Sequence, residues 1–146
     1  MIALLDVNVL IALAWPSHMH NEAAHHWFAQ NANKGWATCP MTQSGFVRVS
    51  GQPAAVKTLI PMHSAMTLLE ANLKSANHHF WPQDGAITLM QPEIKTRVLG
   101  PRQLSDAILL DLAIRNGGVL VTFDSRIRQL LPAGSQLLKH IEVILA

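Results

Sequence analysis

The hydrophobic and polar positions alternate between two kinds of segment along the chain. Ile2 to Leu5 is an unbroken apolar run that stops at Asp6, and Val119 to Thr122 is another that stops just short of Asp124. Runs this short and this uniformly apolar predict strands buried on both faces of a parallel sheet. Trp36 to Cys39, His78 to Trp81 and Ile141 to Leu145 supply three more candidates, the last expected at the sheet edge.

Between them lie helical patterns. Asn8 reads as an N-cap for Val9 to Ala14, and Asn21-Glu22 opens a second helix through Ala23, Ala24, Trp27 and Phe28. Pro40 suits the entry to a helix over Met41 to Ser50, and Pro53 and Pro61 each suit a helix start. Met62, Ala65, Met66, Leu69 and Leu73 fall on one helical stripe, which reads as core or as a groove for a partner helix. Pro92 to Gly100 predicts a short helical turn and loop. Leu104, Ala107, Ile108, Leu112 and Ala113 mark a helix that begins near Gln103 and ends at Asn116-Gly117-Gly118, and Ser125 to Leu131 a short one closed by Pro132. Strands alternating with helices predict an α/β three-layer sandwich with a mainly parallel central sheet.

Length and composition narrow the class. A chain of 146 residues fits one domain spanning 1–146. Its 49% hydrophobic and 14% charged residues exclude a disordered or highly charged binding segment. The first Lys or Arg is Lys34 and Asp6 interrupts the apolar opening, a pattern that predicts neither a secretory leader nor a membrane span. With Cys39 as the one cysteine there is no internal disulfide, and a cytoplasmic protein is expected. Cys39 itself reads as a small buried hydrophobe. A formal charge of +2 permits a polyanionic partner without requiring one.

The candidate chemistry lies in the aspartates. In a parallel sheet with right-handed crossovers the loops at the carboxyl ends of the strands share one edge, where Asp6 and Asp124 both fall. A helix that feeds into a parallel strand runs antiparallel to it, so Asp106, in the first turn of the helix before Val119, belongs to that edge too. Carboxylates crowded in a poorly solvated cleft either take up protons or hold a cation between them. An all-oxygen set favours Mg²⁺ or Mn²⁺ over zinc. Each aspartate has a plainer alternative: Asp6 and Asp124 as helix caps, Asp106 interacting with its own helix dipole. Asp111 points about 140° from Asp106 around the helix and is left out of the set.

The residues Leu4-Leu5-Asp6-Val7-Asn8-Val9-Leu10, Thr42-Gln43-Ser44-Gly45-Phe46-Val47-Arg48-Val49, Leu104-Ser105-Asp106-Ala107 and Val121-Thr122-Phe123-Asp124, in this order and spacing, resemble a PIN domain. More narrowly they are similar to the VapC toxins of prokaryotic toxin-antitoxin pairs. The resemblance implies an Mg²⁺- or Mn²⁺-dependent endoribonuclease that acts on structured RNA, leaves a 5′-phosphate and a 3′-hydroxyl, forms a homodimer and is held inactive by a VapB-like antitoxin. It assigns Asp6, Asp106 and Asp124 to catalysis and metal binding. The family's second acidic position, a glutamate, is Gln43 here. A glutamine keeps a carbonyl oxygen but no charge, which leaves two readings open: cleavage with three carboxylates at a higher metal demand, or a PIN-fold protein that binds RNA or an antitoxin without efficient cleavage.

Asn8 and Ser105 stand beside these aspartates and could orient them, as could Thr122, with capping or strand packing as the alternative. Arg48, Arg102, Arg126 and Arg128 could contact the RNA backbone or be ordinary solvated arginines. Aromatic residues make up 5% with no tyrosine, which argues against a stacking platform for single-stranded bases and for recognition by shape. His18, His20, His25 and His26 form no metal-binding spacing and read as surface residues. A phosphotransfer enzyme of another α/β class is disfavoured, because Asp6-Val7-Asn8 lacks a second aspartate and no phosphate-cradling Gly-rich loop occurs.

Overall fold

A computed structural model describes residues 1–52 and 60–146. The helix start expected at Pro53 lies outside the described residues. Five short strands, β1 (Ala3–Leu5), β2 (Trp36–Thr38), β3 (His78–Phe80), β4 (Val119–Thr122) and β5 (Ile141–Val143), form one sheet in the order β3-β2-β1-β4-β5. Every pairing is parallel, with Leu4 opposite Ala37 on one side and Leu120 on the other. The two apolar runs are thus the central pair, covered on both faces, and β5 is an edge as expected.

Side chains alternate across the strands and build a core on each face. Leu4, Ala37, Leu120 and Ile141 pack under α5 (Pro92–Lys95) and α6 (Pro101–Arg115). Ala3, Leu5, Trp36, Val119 and Val121 meet α1 (Val7–Ala14), α2 (Asn21–Asn31), α3 (Pro40–Ser50) and α4 (Met62–Leu73). That is the three-layer arrangement anticipated from the alternating pattern, with a sheet that is wholly parallel. On α4, Ala65 and Leu69 are buried while Met62 and Met66 are exposed, so the stripe is part core and part groove wall. No described helix is long and apolar enough to cross a membrane.

Two helix starts differ from expectation. The first helix begins at Val7 and is capped by Asp6, whose Oδ1 accepts the Val7 N–H at 2.7 Å, so Asn8 lies inside the first turn instead of capping it. The helix before β4 begins at Pro101, which takes the first helical position where its missing N–H has no partner to lose. Asp106 therefore sits in the second turn, beyond the reach of most of the helix dipole. Gly45 in α3 lets that helix approach α1, since a Cβ there would collide with Val7 Cγ2.

Candidate functional site

The carboxyl ends of β1, β2, β3 and β4 open onto one edge, and the crossovers bring helix N-termini to it. Asp6 follows β1 directly, Asp124 follows β4 with one residue between, and Asp106 comes from α6, which runs antiparallel to the strand it feeds. Asp6 and Asp106 line a common cavity of about 630 Å³ with Val7, Ser44, Arg48, Gln83 and Ser105. Two acidic side chains separated by one hundred positions in the sequence thus share one concave surface, as the edge rule requires.

Thr122 organises this edge. Its fully buried hydroxyl donates to Asp6 Oδ2 at 2.7 Å and accepts from Asn8 Nδ2 at 3.1 Å and from the Asp124 N–H at 3.1 Å. Asn8 Oδ1 in turn accepts the Phe123 N–H at 3.3 Å. The ends of β1 and β4 are therefore tied by a side-chain network in which a single hydroxyl touches groups from both. Both Asp6 oxygens accept hydrogen bonds, one from backbone and one from Thr122.

The electrostatics of the three aspartates diverge. Burial pushes the Asp6 carboxyl above its usual range, against the bonds from Thr122 and Val7, and the charge of Asp124 adds to the rise. Asp106 has no hydrogen-bond or ion-pair partner among the described residues. Burial, then the charges of Asp6 and Asp124, push it up to about 6, with Arg126 opposing. Asp124 is held low by Arg126, whose guanidinium meets its Oδ2 at 2.8 Å. Asp124 also accepts the Arg126 N–H and so caps the 3-10 turn Ser125–Leu130. The plainer capping roles of Asp6 and Asp124 are real; Asp6 also shares the cavity with Asp106, whereas Asp124 lies outside its lining and pairs with Arg126.

As placed, no three His, Cys, Asp or Glu side chains among the described residues are close enough to ligate one ion together. The donor chemistry nevertheless suits a hard divalent cation. Asp6 and Asp106 face one cavity as oxygen donors, Asp106 has no hydrogen-bond partner among the described residues, and burial, with repulsion from Asp6 and Asp124 added, lifts its pKa. Asp124 would join them by turning from the exposed Arg126, an ion pair that solvent screens.

The other expected residues divide. Ser105 lines the cavity, its hydroxyl without a hydrogen bond among the described residues, and Arg48 lines it from α3. Arg126 is committed to Asp124, while Arg102 and Arg128 are exposed. Gln43 faces the neighbouring groove between α3 and α4, and its amide donates to Thr38 Oγ1 at 3.0 Å. Thr38, fully buried, also bonds His78 Nε2 at 2.7 Å, and burial holds that imidazole below its usual range. Asp111 accepts from Arg115 at 2.8 Å and from the Gln91 N–H at 2.9 Å, on a different surface from the cavity, consistent with its exclusion. Cys39 is buried directly after β2. His25 and His26 are exposed, whereas His18 and His20 are half-buried in the loop before α2.

Sequence reasoning passed over Gln83. It enters the cavity from the end of β3 and its Oε1 accepts the Met41 N–H at 2.8 Å, fastening the start of α3. The signal was present: a polar residue just past a strand expected to end at the same edge.

Residues 3–130 match the family model described as PIN domain. Ribonuclease VapC39 of Mycobacterium tuberculosis is 42% identical over 134 residues, covering 92% of this chain and 96% of the relative. Ribonuclease VapC38 of the same organism is 46% identical over 123 residues, covering 84% and 85%, and Ribonuclease VapC29 is 40% identical over 133 residues, covering 89% and 91%. Among solved structures, a crystal structure of VapBC2 from Rickettsia felis bound to a DNA fragment from its promoter contains a chain with the same fold. That likeness has a TM-score of 0.63 at 15% identity and covers 90% of this chain and 94% of that one.

Proposed function

The chain belongs to the PIN-domain family, in its VapC branch, and from that premise we propose that it is a divalent-metal-dependent endoribonuclease, the toxin of a toxin-antitoxin pair. The observation that carries the reading is the shared cavity of Asp6 and Asp106, where an unpartnered carboxylate is pushed up to about 6 beside a second acid.

In this reading Asp6 and Asp106 would supply the anionic oxygens that hold Mg²⁺ or Mn²⁺, and Asp124 would complete the set or orient the attacking water. The cation, when bound, supplies Lewis acidity toward a phosphate oxygen and toward that water. Thr122 holds Asp6 in one rotamer by donating to Oδ2, and Asn8 holds Thr122. Arg48, on the wall of the same cavity, is placed to meet a backbone phosphate of the RNA. Arg126 releases Asp124 and becomes available for a second phosphate. Hydrolysis would leave a 5′-phosphate and a 3′-hydroxyl on structured RNA in the cytoplasm.

Gln43 lowers the charge near the site without dismantling it, since the structure turns its amide to Thr38. A second reading, a protein that binds RNA or its antitoxin without efficient cleavage, draws on the same bond. The groove lined by Val47, Met62, Met66, Leu69 and Leu73 is the apolar surface we assign to the VapB-like partner, and we expect a homodimer by family. Comparing native chain, Gln43→Glu and Asp6→Asn on RNA across Mg²⁺ and Mn²⁺ concentrations decides between the readings. Metal-dependent cleavage abolished in Asp6→Asn supports the enzyme. RNA binding with no cleavage by the native chain at any metal concentration supports the binder.

A further inference from the structure

The edge that carries the carboxylates also carries a pair of stacked rings. Helix α2 feeds into β2, so its N-terminus lies at the carboxyl edge of the sheet, and His20 immediately precedes it. The His20 imidazole lies 4.8 Å from the Phe123 ring at an interplanar angle of 25°, a stacked geometry. Phe123 stands between Thr122, which donates to Asp6, and Asp124, and its N–H donates to Asn8. The stack is therefore fixed to the network that holds the aspartates.

The loop bearing His20 is held by polar bonds. The His20 N–H donates to His18 Nδ1 at 3.0 Å, and the Asn21 amide donates to the Ala12 carbonyl at 2.8 Å and the Trp15 carbonyl at 3.3 Å. His18 itself is held below its usual range by burial and by its neighbour His20. Phe123 packs against the core beneath, while both stacked rings are only half-buried. The His18 ring lies 5.7 Å from that of His20 at 51°, so the stack belongs to a half-buried group of rings that joins the strand end bearing Thr122 and Asp124.

We propose that the His20–Phe123 stack is a platform for an unpaired base of the RNA, next to the phosphate that Asp6 and Asp106 would act on. The inference rests on the ribonuclease reading above and adds to it a residue that selects the substrate. Unpaired loop bases of structured RNA are what proteins stack on aromatic and histidine rings. Composition alone argues against such a surface, because it counts aromatics and not the histidine that the fold lays on one of them.

The test uses the full chain carrying Asp6→Asn and an RNA hairpin with 2-aminopurine in its loop. Binding quenches the base's fluorescence where it stacks. His20→Ala should weaken binding about tenfold and relieve the quenching. His20→Phe should restore both, His20→Lys neither. In the cleaving chain His20→Ala should raise KM with kcat nearly unchanged. Native affinity in His20→Ala, rescue by Lys but not Phe, or no binding of the hairpin at all would each overturn the platform. If the native chain fails to cleave RNA, the ribonuclease reading falls on that result alone. Native cleavage with an indifferent His20→Ala removes only the platform.

Discussion

Replacing Thr122 by Val removes one hydroxyl and keeps the side chain's shape. In the native chain that hydroxyl donates to the Asp6 carboxylate and accepts from Asn8 and from the Asp124 N–H, with no exposure to water. A hydrogen bond to a charged group contributes about 1.5–3 kcal/mol, and two donors would lose their acceptor. Val packs well in a buried strand, which offsets part of the loss. A net cost of about 2 kcal/mol follows, or roughly 4–8 °C in Tm for a chain of this length. The lost donor also raises the Asp6 pKa further, so the variant should need several-fold more Mg²⁺ for half-maximal cleavage. Thr122→Ser, which keeps the hydroxyl, should behave nearly as the native chain. Thermal unfolding with and without Mg²⁺, with a cleavage titration, measures both effects. A Thr122→Val protein with native Tm and native metal demand would refute the claim that this hydroxyl organises the edge.

Asp106, raised to about 6, gives a pH signature. A carboxyl whose folded pKa exceeds its unfolded one binds its proton more tightly when folded. In the metal-free protein Asp106 should therefore add stability as pH falls from about 7.5 toward 5, against the opposite contribution of His18 and His78, and comparison with Asp106→Asn in urea melts should isolate that gain. Excess Mg²⁺ should suppress it. Asp124, held low by Arg126, acts in the opposite sense, contributing stability above its unfolded pKa that is lost as acid protonates it. Gly45→Ala should push α3 from α1 at a cost of about 1–3 kcal/mol, read by chemical denaturation, because the added methyl meets the β-branched Val7. Asp111→Ala should destabilise by about 2 kcal/mol through the lost Arg115 and Gln91 bonds and leave the metal titration midpoint where it was, separating structural from site aspartates.

Much of the fold was readable because burial on both faces leaves a plain mark. Ala3–Leu5 and Val119–Val121 have no polar position, and a strand that needs none lies in the middle of a covered sheet. Asp6 and Asp124 stood out because each follows such a run, and parallel topology carried Asp106 to the cavity that Asp6 lines. The network between them was not readable. Thr122 looks like an ordinary β-branched strand residue, and only the register of β1 against β4 reveals that its hydroxyl faces Asp6. The Arg126 pairing with Asp124, the Gln43–Thr38–His78 chain and the buried His140, bonded to the Gly118 carbonyl at 2.6 Å, depend likewise on tertiary placement. The earlier start of α6 had a local signal in Pro101, whose preference for the first helical position outweighs the apolar period that suggested Gln103.

Diffraction from crystals soaked in Mn²⁺, with the anomalous signal of the ion, bears most directly on the role of the aspartates. The account predicts one strong peak in the cavity, about 2.1 Å from carboxylate oxygens of both Asp6 and Asp106, lost in Asp6→Asn. A saturating soak that leaves those oxygens without an ion, or that places Mn²⁺ on an unrelated surface, would contradict it.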